Sequence, residues 1–428
     1  MSGAYAVKAY DASTAFEWPV IWVFSGNFSP VHKFEVFELD ETIVGLQTAE
    51  MNVAAGYKGL FICSAQIQYD DWNVYATFIF AIDHLGKLVW SVRAEGFDES
   101  RDLNLVRLHE DVLYVSHPSP TGITAYNPAT GDILWESGEP PATGSIHMAH
   151  DGNGLNVPQG AFSNPHVRFM DLNGNVTFNE PLGNNANTFY QLDYNDRFIS
   201  ATTWLNTLRA FNQDMSVAWS RPDERHLSAI RDGEFAYSVY TDFDASEARL
   251  AKYSLDTGAH TWSLLKTGIS ATLLGKPHPV HDDEHFYIRY VDGDSYVQKI
   301  RKSDGGHEWD QSISDNYQAN CDDPQGFVIA RDPFNKTVFD RVSFDGVVEN
   351  NLGGLNLWDD LQSYLGSSGG EGPATGASSM QWVQVDGGIP SLRLLQRDDD
   401  NDHGHPRISR EQVTSEQKSI RRGPGTYW

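Results

Sequence analysis

Short runs in which apolar and polar residues alternate cover most of this chain, and nearly every two runs are joined by Gly, Asn, Asp or Pro. "AYNPATGDILW" at 125–135 shows the form: an alternating run, the turn residues Asn127-Pro128-Ala129-Thr130-Gly131, then a second run ending in Trp135. Alternation of period two flanking such turn chemistry predicts a β-hairpin. Helical stripes at i, i+3, i+4, i+7 do not persist beyond about two turns without Gly or Pro, so the predicted class is all-β.

The hairpin recurs. "AIDHLGKLVW" ends at Trp90, "FMDLNGNVTF" at Phe178, "AFNQDMSVAW" at Trp219, "KYSLDTGAHTW" at Trp262 and "KIRKSDGGHEW" at Trp309. Degenerate copies are read at 36–46 ("VFELDETIVGL") and 342–350 ("VSFDGVVEN"). Intervals of roughly 41 to 47 residues match the length of a four-stranded propeller blade. A second series of turns lies upstream of the hairpins, at Lys58-Gly59, Glu110-Asp111, Asn195-Asp196, Asp232-Gly233, Asp283-Glu284 and Gln325-Gly326. Two hairpins per unit give four strands.

Units then fall near 16–50, 51–93, 103–137, 145–181, 188–222, 227–265, 270–311 and 317–350, and 378–396 adds a further pair of strands. The expected fold is a β-propeller over 1–396 followed by an extended polar tail over 397–428. Eight blades is the favoured count. Seven is the alternative, if the first or last segment forms a separate layer. A ring must hide its two free sheet edges, so strands from 378–396 are expected to complete the blade begun near 16–40.

These units resemble the PQQ-like repeat, roughly A-x-D-x-x-T-G-x-x-x-W, of quinoprotein alcohol dehydrogenases and of the propeller lipoprotein of outer-membrane assembly. The match is best at "AYNPATGDILW" and "YSLDTGAHTW". In that family the repeated Trp docks between neighbouring blades, which implies a structural role for Trp90, Trp135, Phe178, Trp219, Trp262 and Trp309. The quinoprotein enzymes also resemble one another in a vicinal pair of cysteines beside the quinone. Here the two cysteines, Cys63 and Cys321, are far apart, so no residue carries over to that active site and quinone-dependent oxidation is not expected.

A formal net charge of −27 argues against nucleic-acid or anionic-membrane partners, which are held through Lys and Arg. The start "MSGAYAVKAYD" shows no basic and apolar leader, and no run of about 18 apolar residues occurs, so the expectation is cytoplasmic synthesis without export or membrane insertion. Candidate chemistry is sparse. "HDDEHFY" at 281–287 reads as a solvated turn rather than a metal cluster. "RDDDNDHGHP" at 397–406 has His403 where a calcium loop turns on Gly, and Ser409 where it needs Glu. "GSSGG" at 366–370 lacks the strand-to-helix context of a nucleophile elbow. No catalytic, cofactor or metal residues are assigned, and no cofactor is expected.

The tail ends in a basic cluster and aromatics, Arg421, Arg422, Tyr427 and Trp428, which suit an acidic partner surface. The expected function is a non-catalytic scaffold for protein interaction in a larger assembly, best a virus particle as a phage tail or surface protein. The alternative is a propeller enzyme or glycan binder using the central channel, with Asp70, Asp71, Trp72 and Trp204 as candidates.

Overall fold

The computed structural model describes residues 2–11, 18–39, 46–69, 75–96, 106–116, 122–138, 146–148, 152–157, 166–181, 188–194, 197–202, 207–222, 224–242, 247–266, 270–273, 284–292, 294–313, 317–331, 338–354 and 380–385. Among these the strands form eight four-stranded antiparallel sheets, and the fold is a β-propeller. The one helical element described is a short 3-10 turn at Val36–Glu38.

Sheet 1 holds β1 (Ser2–Asp11), β2 (Trp18–Ser25) and β3 (Pro30–Glu35). Sheet 2 holds β4 (Leu46–Tyr57), β5 (Leu60–Tyr69), β6 (Tyr75–Asp83) and β7 (Leu88–Gly96). Sheet 3 holds β8 (Val106–His109), β9 (Val112–Ser116), β10 (Ile123–Tyr126) and β11 (Ile133–Glu136). Sheet 4 holds β12 (His147–Met148), β13 (Gly154–Asn156), β14 (His166–Asp171) and β15 (Val176–Pro181). Sheet 5 holds β16 (Thr188–Tyr194), β17 (Arg197–Thr202), β18 (Thr207–Phe211) and β19 (Val217–Pro222). Sheet 6 holds β20 (Glu224–Asp232), β21 (Phe235–Asp242), β22 (Glu247–Ser254) and β23 (His260–Lys266). Sheet 7 holds β24 (Ser270–Leu273), β25 (His285–Asp292), β26 (Asp294–Arg301) and β27 (His307–Ile313). Sheet 8 holds β28 (Tyr317–Asp323), β29 (Gly326–Arg331), β30 (Val338–Ser343) and β31 (Val348–Gly354). The last strand, β32 (Met380–Val385), pairs with β1 and completes sheet 1 in the order β3-β2-β1-β32.

The hairpin between the third and fourth strands is built alike in sheet after sheet. A side-chain acceptor at its start captures backbone N–H groups: Asp83 Oδ1 accepts from Leu85 and Lys87, and Asp171 Oδ1 from Asn173 and Asn175, all at 2.9 Å. Glycine then takes a positive φ that other residues adopt at a cost, for example +78° at Gly86 and +74° at Gly131. In seven of the eight sheets the ladder slips by one residue just before the turn, for example between Ala81 and Ile82, Ala125 and Tyr126, and Lys252 and Tyr253; in sheet 8 the shift lies farther back, between Phe339 and Arg341. Such a bulge re-aims the residues beyond it. Here it turns the fourth-strand aromatic toward the next sheet.

Apolar clusters join sheet 1 to 2, 2 to 3, 3 to 4, 5 to 6, 6 to 7 and 7 to 8, while β13 contacts β16 between sheets 4 and 5. Sheet 8 packs on sheet 1 through Val328, Ala330 and Phe339 against Tyr5, Phe24 and Phe28, so the circuit is closed. The first strands also meet around it, β28 with β32, β32 with β4, β4 with β8, and β16 with β20. They form the inner layer.

Two expectations change. The first unit begins at Ser2 rather than near 16, and Leu46–Glu50 belongs to sheet 2. The run "AYAVKAY" escapes the repeat because it carries no aromatic-ended turn. The first copy of the hairpin lies at Ser25–His32, not at 36–46, where the chain makes the 3-10 turn. Of the pair of strands expected in 378–396, the described part supplies one, β32.

Candidate functional site

The most regular side-chain geometry lies where one sheet meets the next. A Cβ on Gly131 would stand 2.7 Å from the ring of Trp90, one on Gly174 2.6 Å from Trp135, one on Gly258 2.6 Å from Trp219, one on Gly305 2.8 Å from Trp262 and one on Gly346 3.0 Å from Trp309. Each indole thus lies flat on a glycine of the following sheet, a separation only a residue without Cβ allows. The indole N–H then donates to a carbonyl in the same turn: Trp90 to Pro128 at 3.0 Å, Trp135 to Leu172 at 2.8 Å, and Trp219 to Leu255 and Trp262 to Lys302 at 3.2 Å. In sheet 1, His32 holds the equivalent position over Gly86.

Two seams reverse the arrangement. Met215 occupies the glycine position of sheet 5 at φ +63°, and the preceding sheet presents the smaller Phe178 there in place of Trp. At the seam between sheets 8 and 1, Phe28 holds the glycine position at φ +61° and the facing fourth-strand residue is the exposed Asn350. Phe28 plugs this seam from the opposite side. Its ring stacks on Tyr5 at 4.8 Å and Phe339 at 5.1 Å, with the guanidinium of Arg341 5.5 Å above it. Where the receiving position gains a side chain, the donating position gives up its indole.

Between sheets 6 and 7 the apolar cluster of Tyr237, Leu250, Phe286, Ile288 and Ile300 takes no residue from the turn of sheet 7. At the turn position after the hairpin's first residue, Leu172, Leu255 and Phe344 enter the apolar clusters of their seams. The corresponding residue of sheet 7 is Lys302, half-exposed and outside the cluster of this seam. A groove of about 580 Å3 results, lined by Phe235, Tyr237, Lys252, Arg301, Glu234 and Glu284 among others. Lys252 Nζ lies 4.1 Å from the centre of the Phe235 ring and donates to the Lys302 carbonyl at 3.2 Å, beside the indole of Trp262. Arg301 is engaged by Asp304 at 3.5 Å and Glu308 at 3.3 Å. Glu234 and Glu284 are exposed at the mouth.

A polar link joins sheets 2 and 3 on the same face. Asp111 Oδ1 accepts from Tyr57 Oη at 2.7 Å and from Lys58 Nζ at 2.5 Å. The hydrogen bonds from Lys58 and Tyr57 hold the Asp111 carboxyl below its ordinary range. Burial pushes the Tyr57 phenol up, reinforced by Asp111. Burial works against the Lys58 ammonium, yet its bonds to Asp111 and Tyr57 leave it raised.

Among the described residues, no group of three or more His, Cys, Asp or Glu side chains is placed to hold a metal ion. No helix there is long and apolar enough to cross a membrane. Cys63 and Cys321 are both buried, and burial pushes the Cys63 thiol well above its ordinary range. Glu284 and His285 of the acidic turn are described, and they bracket the start of sheet 7's second strand. Asp70, Asp71, Trp72, Trp204, the acidic run at 397–406, the Gly-Ser stretch at 366–370 and the tail residues Arg421, Arg422, Tyr427 and Trp428 lie outside the described residues. Sequence reasoning missed the groove and the Tyr57–Asp111 link. Comparing turn positions, Lys302 against Leu255 and Phe344, holds the signal for the first; nothing local signals the second.

No family model and no curated protein sequence matches this chain. Its fold is similar to that of Citrobacter koseri AztD in one crystal structure, with TM-score 0.52 and 12% identity over 91% of this chain and 100% of that one. A structure of apo AztD from Citrobacter koseri is similar with TM-score 0.50 and 10% identity, covering 90% of this chain and 98% of that one. At these identities the likeness is one of fold.

Proposed function

We propose that this protein is a non-catalytic propeller serving as a rigid platform for other proteins of a larger assembly. The observation that carries the reading is the repeated Trp-on-Gly contact, which ties successive sheets together by ring burial and a hydrogen bond at one place. Such contacts fix the positions of the turns on that face, and a fixed face presents partner-binding residues at little cost in ordering entropy. The same docking supports placing the repeats in the PQQ-like class of propellers. The tail, with Arg421, Arg422, Tyr427 and Trp428, supplies a second contact element. The setting we favour is a virus particle, as a phage tail or surface component, and probing purified particles for this chain tests it.

Affinity capture with the full chain, with the chain ended at 396, and with inner-strand substitutions tests the platform role, each variant first checked for an unchanged melting temperature. Loss of partners with the tail or the turn face is expected. If tail removal changes no partner while an inner-strand substitution abolishes binding of a small ligand, the platform reading fails. A second reading, a glycan binder or propeller enzyme, is supported by the groove between sheets 6 and 7, where Phe235 offers a ring face and Glu234 and Glu284 offer acceptors. Glycan-array binding abolished by Phe235→Ala would favour it.

A further inference from the structure

Each docking aromatic ends a rung of three paired residues, one from each of the second, third and fourth strands of its sheet. The rungs are Ile62–Ala81–Trp90, Tyr114–Ala125–Trp135, Ile199–Ala210–Trp219, Tyr237–Lys252–Trp262 and Tyr287–Lys299–Trp309. In sheet 4 the rung is Asn156–Phe169–Phe178, so all three positions change together. Directly paired residues share a face, and this face is turned to sheet 5. Asn156 is 0% exposed, and neither its Oδ1 nor its Nδ2 makes a hydrogen bond. A buried amide with both ends unmade carries a desolvation cost that Ile62 and Ile199 do not incur at the same place.

The facing turn of sheet 5 has Met215 where other seams have glycine, and Phe178 has no N–H to donate to that turn. This seam therefore lacks both the indole-on-glycine contact and the indole hydrogen bond, and it holds an amide that gains hydrogen bonds to water when the sheets part. The seam between sheets 8 and 1 also lacks an indole, but Phe28 and the rings stacked on it plug that one. We propose that the ring opens between sheets 4 and 5. The opening hydrates Asn156 and leaves the strands of each sheet paired, a local step well below the cost of global unfolding. Pairing of β1 with β32 holds the other closure shut. The inference goes beyond the platform reading, which concerns the face presented by the closed ring, and does not depend on it.

Thiol labelling of the folded full chain tests this, with the native Cys63 and Cys321 as references, because both are buried in the apolar clusters that join sheets 1 to 2 and 8 to 1. Val167 lies two residues before Phe169 and so on the face toward sheet 5, and Leu208 holds the same place in sheet 5, facing sheet 6. Both are buried. The Val167→Cys chain should be labelled at that site at least about tenfold faster than the Leu208→Cys chain at its own, or than the native thiols, a difference of about 1.4 kcal/mol. Urea should barely change the rate, since local opening exposes little surface, whereas labelling through global unfolding rises steeply with urea. Adding Asn156→Leu, an apolar side chain of the same branching, should remove most of the excess. Equal rates at the two sites, a steep urea dependence for Val167→Cys, or an excess that survives Asn156→Leu overturns the proposal. Tail-dependent capture of partners would survive any of those outcomes, so the platform reading and this one fail separately.

Discussion

Lys299 takes the carbonyl that geometry offers to Trp309: its Nζ donates to the Phe344 carbonyl at 3.3 Å, and the buried indole N–H of Trp309 is left without a hydrogen bond. At the previous seam Lys252 and Trp262 share the Lys302 carbonyl. A charged donor makes the stronger bond, and the neutral indole loses the competition at one seam. Both Trp309→Phe and Trp262→Phe lose ring area against the facing glycine, but only the second also loses a hydrogen bond, so Trp262→Phe should cost about 1 kcal/mol more. Urea midpoints of the two variants check this; equal costs would count against it.

Gly131→Ala combines two penalties, φ at +74° and a Cβ 2.7 Å from Trp90. Gly138 has a similar φ of +66° and nothing within 4 Å of a Cβ, so its alanine variant isolates the backbone cost, about 1–2 kcal/mol. Gly131→Ala should cost about 1–3 kcal/mol more, as overpacking does. Melting temperatures of both variants read the difference.

The exchange of volume at the seam between sheets 4 and 5 predicts coupling. Phe178→Trp alone should destabilise by about 1–3 kcal/mol, because at the position where the other seams have glycine this one has Met215, which carries a side chain. Combining it with Met215→Gly should recover part of that loss. A double-mutant cycle with a favourable coupling of at least about 0.5 kcal/mol is expected.

Asp111 sets an acid dependence. Its folded pKa lies below the ordinary 3.8, so its contribution is complete above pH 3.8 and is lost as pH falls through the lowered folded value. Asp171 and Asp214 are lowered in the same sense by hydrogen bonds from Asn175 and Ser216. Asp111→Asn should lower the melting temperature at pH 6 and flatten its fall below pH 4. Tyr57, Tyr114 and Tyr126, all raised above 10.0 by burial, should make stability fall again as pH rises past 10.

The hairpins were legible because one residue pattern performs two jobs at once. In "YSLDTGAHTW" the glycine makes the turn and also clears the site where the previous sheet's indole lies, so both marks recur together. Sheet 1 carries neither mark, since Phe28 and His32 stand in place of Gly and Trp and its inner strand comes from 380–385. The groove was harder to see for another reason. Lys302 stands where neighbouring turns have Leu255 and Phe344, a difference that shows only when the turns are set side by side. The Tyr57–Asp111 bond joins residues of different sheets, so only the curvature of the ring brings them together.

The ring itself is tested most directly at its closure, where Ala4 of β1 pairs with Val383 of β32 and both are buried. Directly opposed antiparallel partners stand about 4.5–5.5 Å apart at Cα, within reach of a disulfide. The double variant Ala4→Cys, Val383→Cys should form an intramolecular disulfide under mild oxidation, migrate faster on a non-reducing gel and melt higher. Two thiols that stay reduced in the oxidised, folded chain, or that join separate chains, would contradict the closed ring on which the platform depends.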